Sequence, residues 1–120
     1  MLHANYSIDK FFNRVSTRKY NCLDFVREVW ADMTGVDIAE ALPGLQGDFS
    51  HRKGSLSGRK TFRRLESPVS PCIAVFQRRG DTPHLGIFYL GRILHLHERG
   101  VEFQPVCVAK AYYTKVRYYV

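Results

Sequence analysis

The residues of this chain whose types could support nucleophilic chemistry are its three cysteines and five histidines. A cysteine nucleophile needs a histidine base within hydrogen-bond reach, and that base needs a third group to orient it. The cysteines, Cys22, Cys72 and Cys107, are widely spaced, and the absence of a CxxC pair disfavours a zinc knuckle. Their odd number, with an N-terminus that does not read as a secretory signal peptide, also disfavours a disulfide framework.

Cys22 lies at the start of an amphipathic segment, in the stretch RKYNCLDFVREVW at 18–30. Asn21 is a good N-cap residue, so Cys22 is the first residue of a predicted helix, which Gly35 ends. A thiol at a helix N-terminus meets the positive end of the dipole and unpaired N–H groups, which lower its pKa. The other interpretation is ordinary packing, because a free cysteine often serves as a small buried apolar residue.

The remaining thiols and two of the histidines are weaker candidates for chemistry. Cys72 and Cys107 lie at or between predicted strands, where a packing role suffices for them. His3 is close to the N-terminus, and His51 lies in a basic segment. The histidines of the second half of the chain are therefore the better candidates for a base.

Three histidines lie on two adjacent predicted strands, with His84 at the start of HLGIFYL and with His95 and His97 in RILHLH. Side chains alternate along a strand, so a two-residue turn places both later histidines on the face of His84. A turn at 90–91 sets His84 opposite His97, whereas a turn at 91–92 shifts the pairing by two residues. The pattern therefore leaves the third site residue open. A partly exposed sheet face and a zinc site are other interpretations, although no carboxylate or cysteine completes a zinc set at a recognisable spacing.

The elements that must position these residues are predicted by apolar periodicity and turn signals. Ser7 is a candidate N-cap for a short helix, and Asp37 caps a second short helix, DIAEAL, that ends at Pro43. Five later segments rich in β-branched and aromatic residues predict strands: CIAVFQ, HLGIFYL, RILHLH, VEFQPV and YYTKVRYYV. Helices followed by an antiparallel sheet predict an α+β fold.

The size and composition of the chain suit one domain. Its 120 residues allow a single core, and 45% hydrophobic and 13% aromatic residues argue against disorder. The chain has no apolar run of about 18 residues, so no membrane span is predicted. The segment at about 44–70 reads as a long basic loop with a short ordered piece near TFRRL, and 51–64 carries six positive charges. The net charge of +7 indicates either a polyanionic partner or a solubilising surface.

The stretches YNCLDFVREVW, HLGIFYLG and RILHLHERGV, taken in order, resemble the NlpC-type cell-wall peptidases, a superfamily of papain-like cysteine hydrolases. That family carries a cysteine at the start of a helix, then His-Val-Gly-Ile-Tyr, then a second histidine with Gly-Val shortly after it. Cys22 matches the nucleophile and His84 matches the base. His95 matches the orienting residue, because Gly-Val follows it at the family's spacing, so the resemblance favours His95 over His97.

The resemblance implies a papain-like domain that cleaves the peptide stems of bacterial peptidoglycan, with no cofactor and no metal. Cys22 would attack the carbonyl, with its own backbone N–H as the oxyanion donor. His84 would take the thiol proton, and His95 would orient His84. An upstream tyrosine lines the family's active site, and Tyr20 is the candidate for that substrate contact. Leu23-Asp24 replaces the Ser-Gly that commonly follows the family's cysteine.

The compact form of the chain is most similar to versions that tailed bacteriophages encode in tail-assembly or tail-tip genes. The resemblance implies synthesis in the host cytoplasm, incorporation into the virion tail with other tail-tip proteins, and action at the cell wall.

Two other classes of function are compatible with the sequence. A structural tail-tip protein would keep the fold with little or no catalysis, and the basic loop 51–64 would be its docking surface. A nucleic-acid-binding module would use the same loop. It is disfavoured because the sequence lacks a helix-turn-helix or an aromatic-basic strand motif.

Overall fold

The computed structural model of the protein describes residues 2–47 and 62–120. Within these ranges the helices are a short 3-10 helix and three α-helices: Asp9–Phe11, Cys22–Thr34 (α1), Leu42–Gln46 (α2) and Val106–Ala109 (α3). The strands are Arg64–Leu65 (β1), Cys72–Gln77 (β2), His84–Tyr89 (β3), Arg92–His97 (β4), Gly100–Pro105 (β5) and Lys115–Tyr119 (β6). No helix in these ranges is long and apolar enough to cross a membrane.

Helix α1 begins where its local sequence predicts. The Asn21 side chain accepts hydrogen bonds from the amides of Leu23 and Asp24, and the Asp24 carboxylate accepts one from the Asn21 amide. This capping box satisfies N–H groups that have no partner inside the helix. The helix ends at Gly35, whose φ of 77° is left-handed and suits glycine. Cys22 is therefore the first residue of α1, as predicted.

The described strands form one antiparallel sheet in the order β1-β6-β2-β3-β4-β5. The prediction of an α+β fold with an antiparallel sheet is confirmed. Each of the five predicted strand segments contains a strand, and the ordered piece expected near TFRRL contains β1. Helix α1 packs against β3 and β4, which brings the head of the helix to the strands that carry the histidines.

The two faces of the sheet carry separate apolar clusters, because side chains alternate along each strand. One cluster joins α1 to strand residues such as Leu85 and Ile87. The other contains Phe76 and Ile93 and lies on the opposite face. His84 and His95 share the parity of this second face, so Cys22 must approach them from the ends of the strands rather than through the sheet.

The turn between β3 and β4 is a two-residue turn at Leu90 and Gly91, both with positive φ, 49° and 80°. It pairs Ile87 with Leu94. This is the register expected for a turn at 90–91, one of the two turns that the sequence allowed. Continuing the same register sets His84 opposite His97 and places His95 diagonally from His84. Turn geometry therefore decides which ring nitrogens meet.

Two helix predictions differ from the structure. The segment predicted as a helix after Asp37 is a turn, in which the Asp37 carboxylate accepts from the Ala39 amide at 3.0 Å. Helix α2 instead starts at Leu42, at the point where Pro43 was expected to end a helix. Proline is tolerated there because first-turn amides have no intrahelical acceptor. The helix expected after Ser7 is only the 3-10 helix Asp9–Phe11, where the Ser7 hydroxyl accepts from the Asp9 amide at 3.1 Å.

The basic segment is described only at its margins. Helix α2 occupies the start of the predicted loop at about 44–70, and β1 lies near its end. Phe62 is buried and its ring lies 5.9 Å from that of Trp30, so the chain re-enters the core there. Most of the predicted docking surface at 51–64, and His51 with it, lies outside the described residues.

Candidate functional site

The centre of the site is a hydrogen bond between two histidines on adjacent strands. His84 is the first residue of β3, and its Nε2 lies 2.9 Å from Nδ1 of His95 in β4. His95 is fully buried, with its ring stacked on Phe76 at 6.3 Å and an interplanar angle of 27°. Tyr113 stacks on the His84 ring at 5.8 Å and 6°. Both rings are therefore held in place by contacts on more than one side.

A polar chain continues from the far side of His95. Its Nε2 lies 2.7 Å from Oε1 of Gln104 on β5, and 3.1 Å from Nε2 of His97. The Gln104 amide nitrogen donates to the Glu102 carboxylate, which also lies 3.9 Å from His97 Nε2. The register of β4 and β5, which pairs His95 with Glu102, brings these groups together.

Cys22 meets the strands where the pairing of β3 with β4 stops. The ladder ends at Ile87 and Leu94, and the amide of Leu85, beyond that end, lowers the pKa of the Cys22 thiol. The amides of Cys22 itself and of Leu23 also act on the sulfur and lower its pKa. The thiol of a half-buried helix-head cysteine therefore faces backbone N–H groups from both α1 and β3.

Burial nevertheless outweighs these amides. The pKa of the Cys22 thiol is raised above its usual value, chiefly by desolvation, with a smaller contribution from the Asp24 carboxylate. The amides at the helix N-terminus lower the thiol pKa as expected, but the net shift is upward, so the expectation of a lowered pKa is wrong. The reason is that removing water disfavours a thiolate more than the helix end favours it.

The two histidines are also uncharged at neutral pH. Burial lowers the pKa of His84 to about 3, with smaller effects from His95 and His97. Burial likewise lowers the pKa of His95 to about 4, against an opposing hydrogen bond to Gln104. The site therefore holds a neutral thiol and neutral imidazoles, and a neutral imidazole can accept a proton.

Cys22 and His84 line the same open cavity of about 680 Å³, which also contains Gln104 and Tyr113. A second cavity of about 460 Å³ shares Cys22, His84 and Tyr113 with the first and continues past Asp81. No hydrogen bond among the described residues joins the Cys22 thiol to His84. The pair lies at the junction of two clefts, and catalytic hydrogen bonds often shorten only when substrate binds.

Tyr20, the candidate substrate contact, lies elsewhere. Its hydroxyl donates to Glu28, and its ring lines a separate groove with Arg27 and Asp37. Tyr113 instead lines the cavity beside Cys22, and no sequence motif singles it out. The sequence analysis also did not single out Gln104. Its contact with His95 depends on how β4 and β5 are aligned, and the residues next to Gln104 in the chain do not specify that alignment.

The remaining candidate residues lie apart from this pair. Cys72 is buried in β2, and Cys107 is exposed on α3, between β5 and β6, so both lie at or between strands as predicted. His97 touches His95 rather than hydrogen-bonding His84, so the structure links His84 directly to His95. Among the residues that the structure describes, no group of three or more His, Cys, Asp or Glu side chains is arranged to hold a metal ion.

Comparisons with protein-family models, with curated proteins and with solved structures found no match to this chain. The chemistry of the site must therefore be argued from its own residues.

Proposed function

We propose that this protein is a cysteine peptidase with an NlpC-type, papain-like fold that cleaves the peptide stems of bacterial peptidoglycan. The observation that carries the proposal is the 2.9 Å contact between His84 Nε2 and His95 Nδ1. It fixes His84 at the wall of the cavity that the Cys22 thiol also lines. A nucleophile at a helix head, a base on one strand and an orienting group on the next are the parts that thiol-dependent amide hydrolysis requires.

The reaction follows from these positions. As the Cys22 sulfur attacks the scissile carbonyl, its proton passes to Nδ1 of His84, the ring nitrogen that does not face His95. The backbone amide of Cys22 is the proposed oxyanion donor, and the amide of Leu85, which also lowers the pKa of the thiol, is the second candidate. The C–N bond then breaks, the leaving amine takes the proton from His84, and a thioester remains. Water, deprotonated by His84, attacks the thioester and releases the acid and the thiol.

The shape of the site supports a peptide substrate that extends on both sides of the nucleophile. The larger cleft has the charged residues Glu98 and Arg99 and the exposed apolar residues Val108 and Tyr112 on its walls. These groups suit a peptide that carries both free carboxylates and aliphatic side chains, as peptidoglycan stems do. The bond that the resemblance suggests lies between D-glutamate and diaminopimelate or lysine.

The proposed setting is the tail of a bacteriophage, where the protein would assemble with other tail-tip proteins and act at the cell wall. A purely structural tail-tip role is the alternative, and it requires no reactive thiol. The presence of the chain in purified particles would be compatible with both roles. Hydrolysis by the isolated protein separates them.

The experiment compares wild type, Cys22→Ala and Cys107→Ala on purified peptidoglycan, with released stem fragments identified by mass spectrometry. Cys107 is the matched control, because it is an exposed thiol that does not line the cavity. We expect equal release by wild type and Cys107→Ala and none by Cys22→Ala. Equal release by Cys22→Ala, or no release by any of the three, would contradict the proposal.

A further inference from the structure

The polar chain behind His95 has a direction that hydrogen-bond chemistry fixes. At its outer end, the Gln104 amide contacts the Glu102 carboxylate and the His95 ring at the same time. An ionised carboxylate only accepts hydrogen bonds, so the Gln104 NH₂ must face Glu102. The Gln104 carbonyl oxygen then faces His95, 2.7 Å from its Nε2.

This orientation determines the proton on His95. A carbonyl oxygen only accepts, so His95 Nε2 must carry the hydrogen in this contact. Since His95 is fully buried and neutral, its other nitrogen, Nδ1, is then a bare acceptor. The 3.1 Å contact from His97 Nε2 is consistent with this assignment, because a lone pair on His97 can share the same N–H.

The same rule determines which ring nitrogen of His84 carries the proton. The bare Nδ1 of His95 lies 2.9 Å from His84 Nε2, which must therefore donate. A neutral imidazole has one N–H, so Nδ1 of His84 is left unprotonated on the side away from His95. That nitrogen is the one a base needs to take the Cys22 proton.

We propose that Glu102 and Gln104 are positioning residues that hold His84 in the tautomer protonated at Nε2, with Nδ1 free to accept the thiol proton. The catalytic consequence rests on the proposed peptidase function, whereas the tautomer itself does not. The titratable groups that surround the chain are His97 and Glu102 on one side and Cys22 and Tyr113 at the His84 end. Gln104 itself does not titrate.

The first measurement is the tautomer of each ring in the ¹⁵N-labelled protein, read from long-range ¹H–¹⁵N correlations at pH 7. We expect the wild-type protein to show His84 and His95 as neutral rings protonated at Nε2. A wild-type His84 protonated at Nδ1 would overturn the proposal without any variant being made.

The second measurement uses variants of the outer residues. In Gln104→Leu the acceptor is lost, and we expect His84 to become a mixture of tautomers. Glu102→Gln removes the group that orients the amide and should also give a mixture, whereas the exposed Glu40→Gln, distant in sequence, serves as the control. Unchanged His84 signals in both Gln104→Leu and Glu102→Gln would overturn the proposal.

Kinetics on peptidoglycan fragments then separate this proposal from the proposed function. In Gln104→Leu we expect kcat to fall about tenfold with KM unchanged, because the wrongly protonated fraction cannot act as the base. If wild type shows the expected tautomer but no hydrolysis, the peptidase function fails and the tautomer assignment stands. If wild type hydrolyses the substrate and Gln104→Leu keeps full kcat, the positioning role fails and the function stands.

Discussion

A β-carbon added at Gly86 would lie 3.1 Å from Cβ of His95 and 2.9 Å from a methyl group of Ile93. The glycine thus lets β3 approach β4 closely at the level of the histidine pair. The neighbouring Cβ of His95 is part of a rigid strand rather than the end of a flexible side chain. The absence of a side chain at this position is therefore a condition for the contact between His84 and His95.

Gly86→Ala should displace His95 and weaken its hydrogen bond to His84. We expect a loss of about 1–3 kcal/mol of unfolding free energy from overpacking, with shifted ring signals for both histidines. Urea unfolding and histidine NMR check this. Gly80→Ala is the control, because it strains a backbone with φ of 86° but its added β-carbon meets nothing within 4 Å. It should destabilise the fold without moving the histidine signals, and unmoved signals in Gly86→Ala would contradict the prediction.

The buried histidines make folding stability depend on pH. Their pKa values are lowered from 6.5 to about 3 in His84 and about 4 in His95, mainly by burial. The unfolded chain therefore binds more protons than the folded one between these values. Above pH 6.5 the histidines are neutral in both the folded and the unfolded chain, and the folded state has its full stability. That stability is lost as the pH falls from 6.5 through about 4 towards 3. We expect the unfolding free energy to fall steadily between pH 7 and pH 4, by about 1.4 kcal/mol per pKa unit for each histidine that protonates only in the unfolded state.

Urea unfolding measured at half-unit steps from pH 4 to pH 7 checks this dependence. His95→Gln removes one of the two titrating groups and should flatten the curve, although it also lowers stability at pH 7. A stability that is constant over this range, or equal slopes in wild type and His95→Gln, would show that the histidines are not the groups responsible.

The Cys22 thiol should react slowly with small alkylating agents at neutral pH. Burial raises its pKa above the usual value of 9.0, so its thiolate is scarce in the resting protein. Labelling by iodoacetamide in a Cys107→Ser background should still be rising at about pH 10, where a short cysteine peptide approaches its plateau. Mass spectrometry of the labelled peptides gives the rate. A plateau near pH 7 would mean that the resting site holds a thiolate–imidazolium pair instead.

The turn at Leu90 and Gly91 should be open to stabilisation. Leu90 is 68% exposed and has a φ of 49°, a conformation that costs a leucine about 1 kcal/mol and that asparagine adopts more readily. Leu90→Asn should therefore raise the unfolding free energy by about 0.5–1 kcal/mol. Gly91→Ala, at a φ of 80°, is the opposite case and should lower it. A destabilised Leu90→Asn would indicate that the leucine side chain makes a contact worth more than the strain.

Local chemistry made several features predictable from the sequence. The start of α1 follows from Asn21 and Asp24, whose side chains satisfy amides within three residues, and its end follows from a glycine. The strands follow from alternating β-branched and aromatic residues. These signals involve neighbours in the chain, so they do not depend on how the elements pack. The placement of α2 failed because Pro43 is compatible with either end of a helix, and only packing selects between them.

The tertiary structure decided what depends on distant parts of the chain. The turn at Leu90 and Gly91 selects one of the two registers that the pattern allowed equally, and this register places His95 diagonally from His84, within hydrogen-bond distance. Burial, which no local pattern measures, reversed the expected pKa of Cys22. Gln104 gained its contact with His95 because two strands are aligned across the sheet. The sequence by itself thus determined the candidate residues and their elements, while the fold determined their protonation and partners, because hydrogen bonds and desolvation act through space.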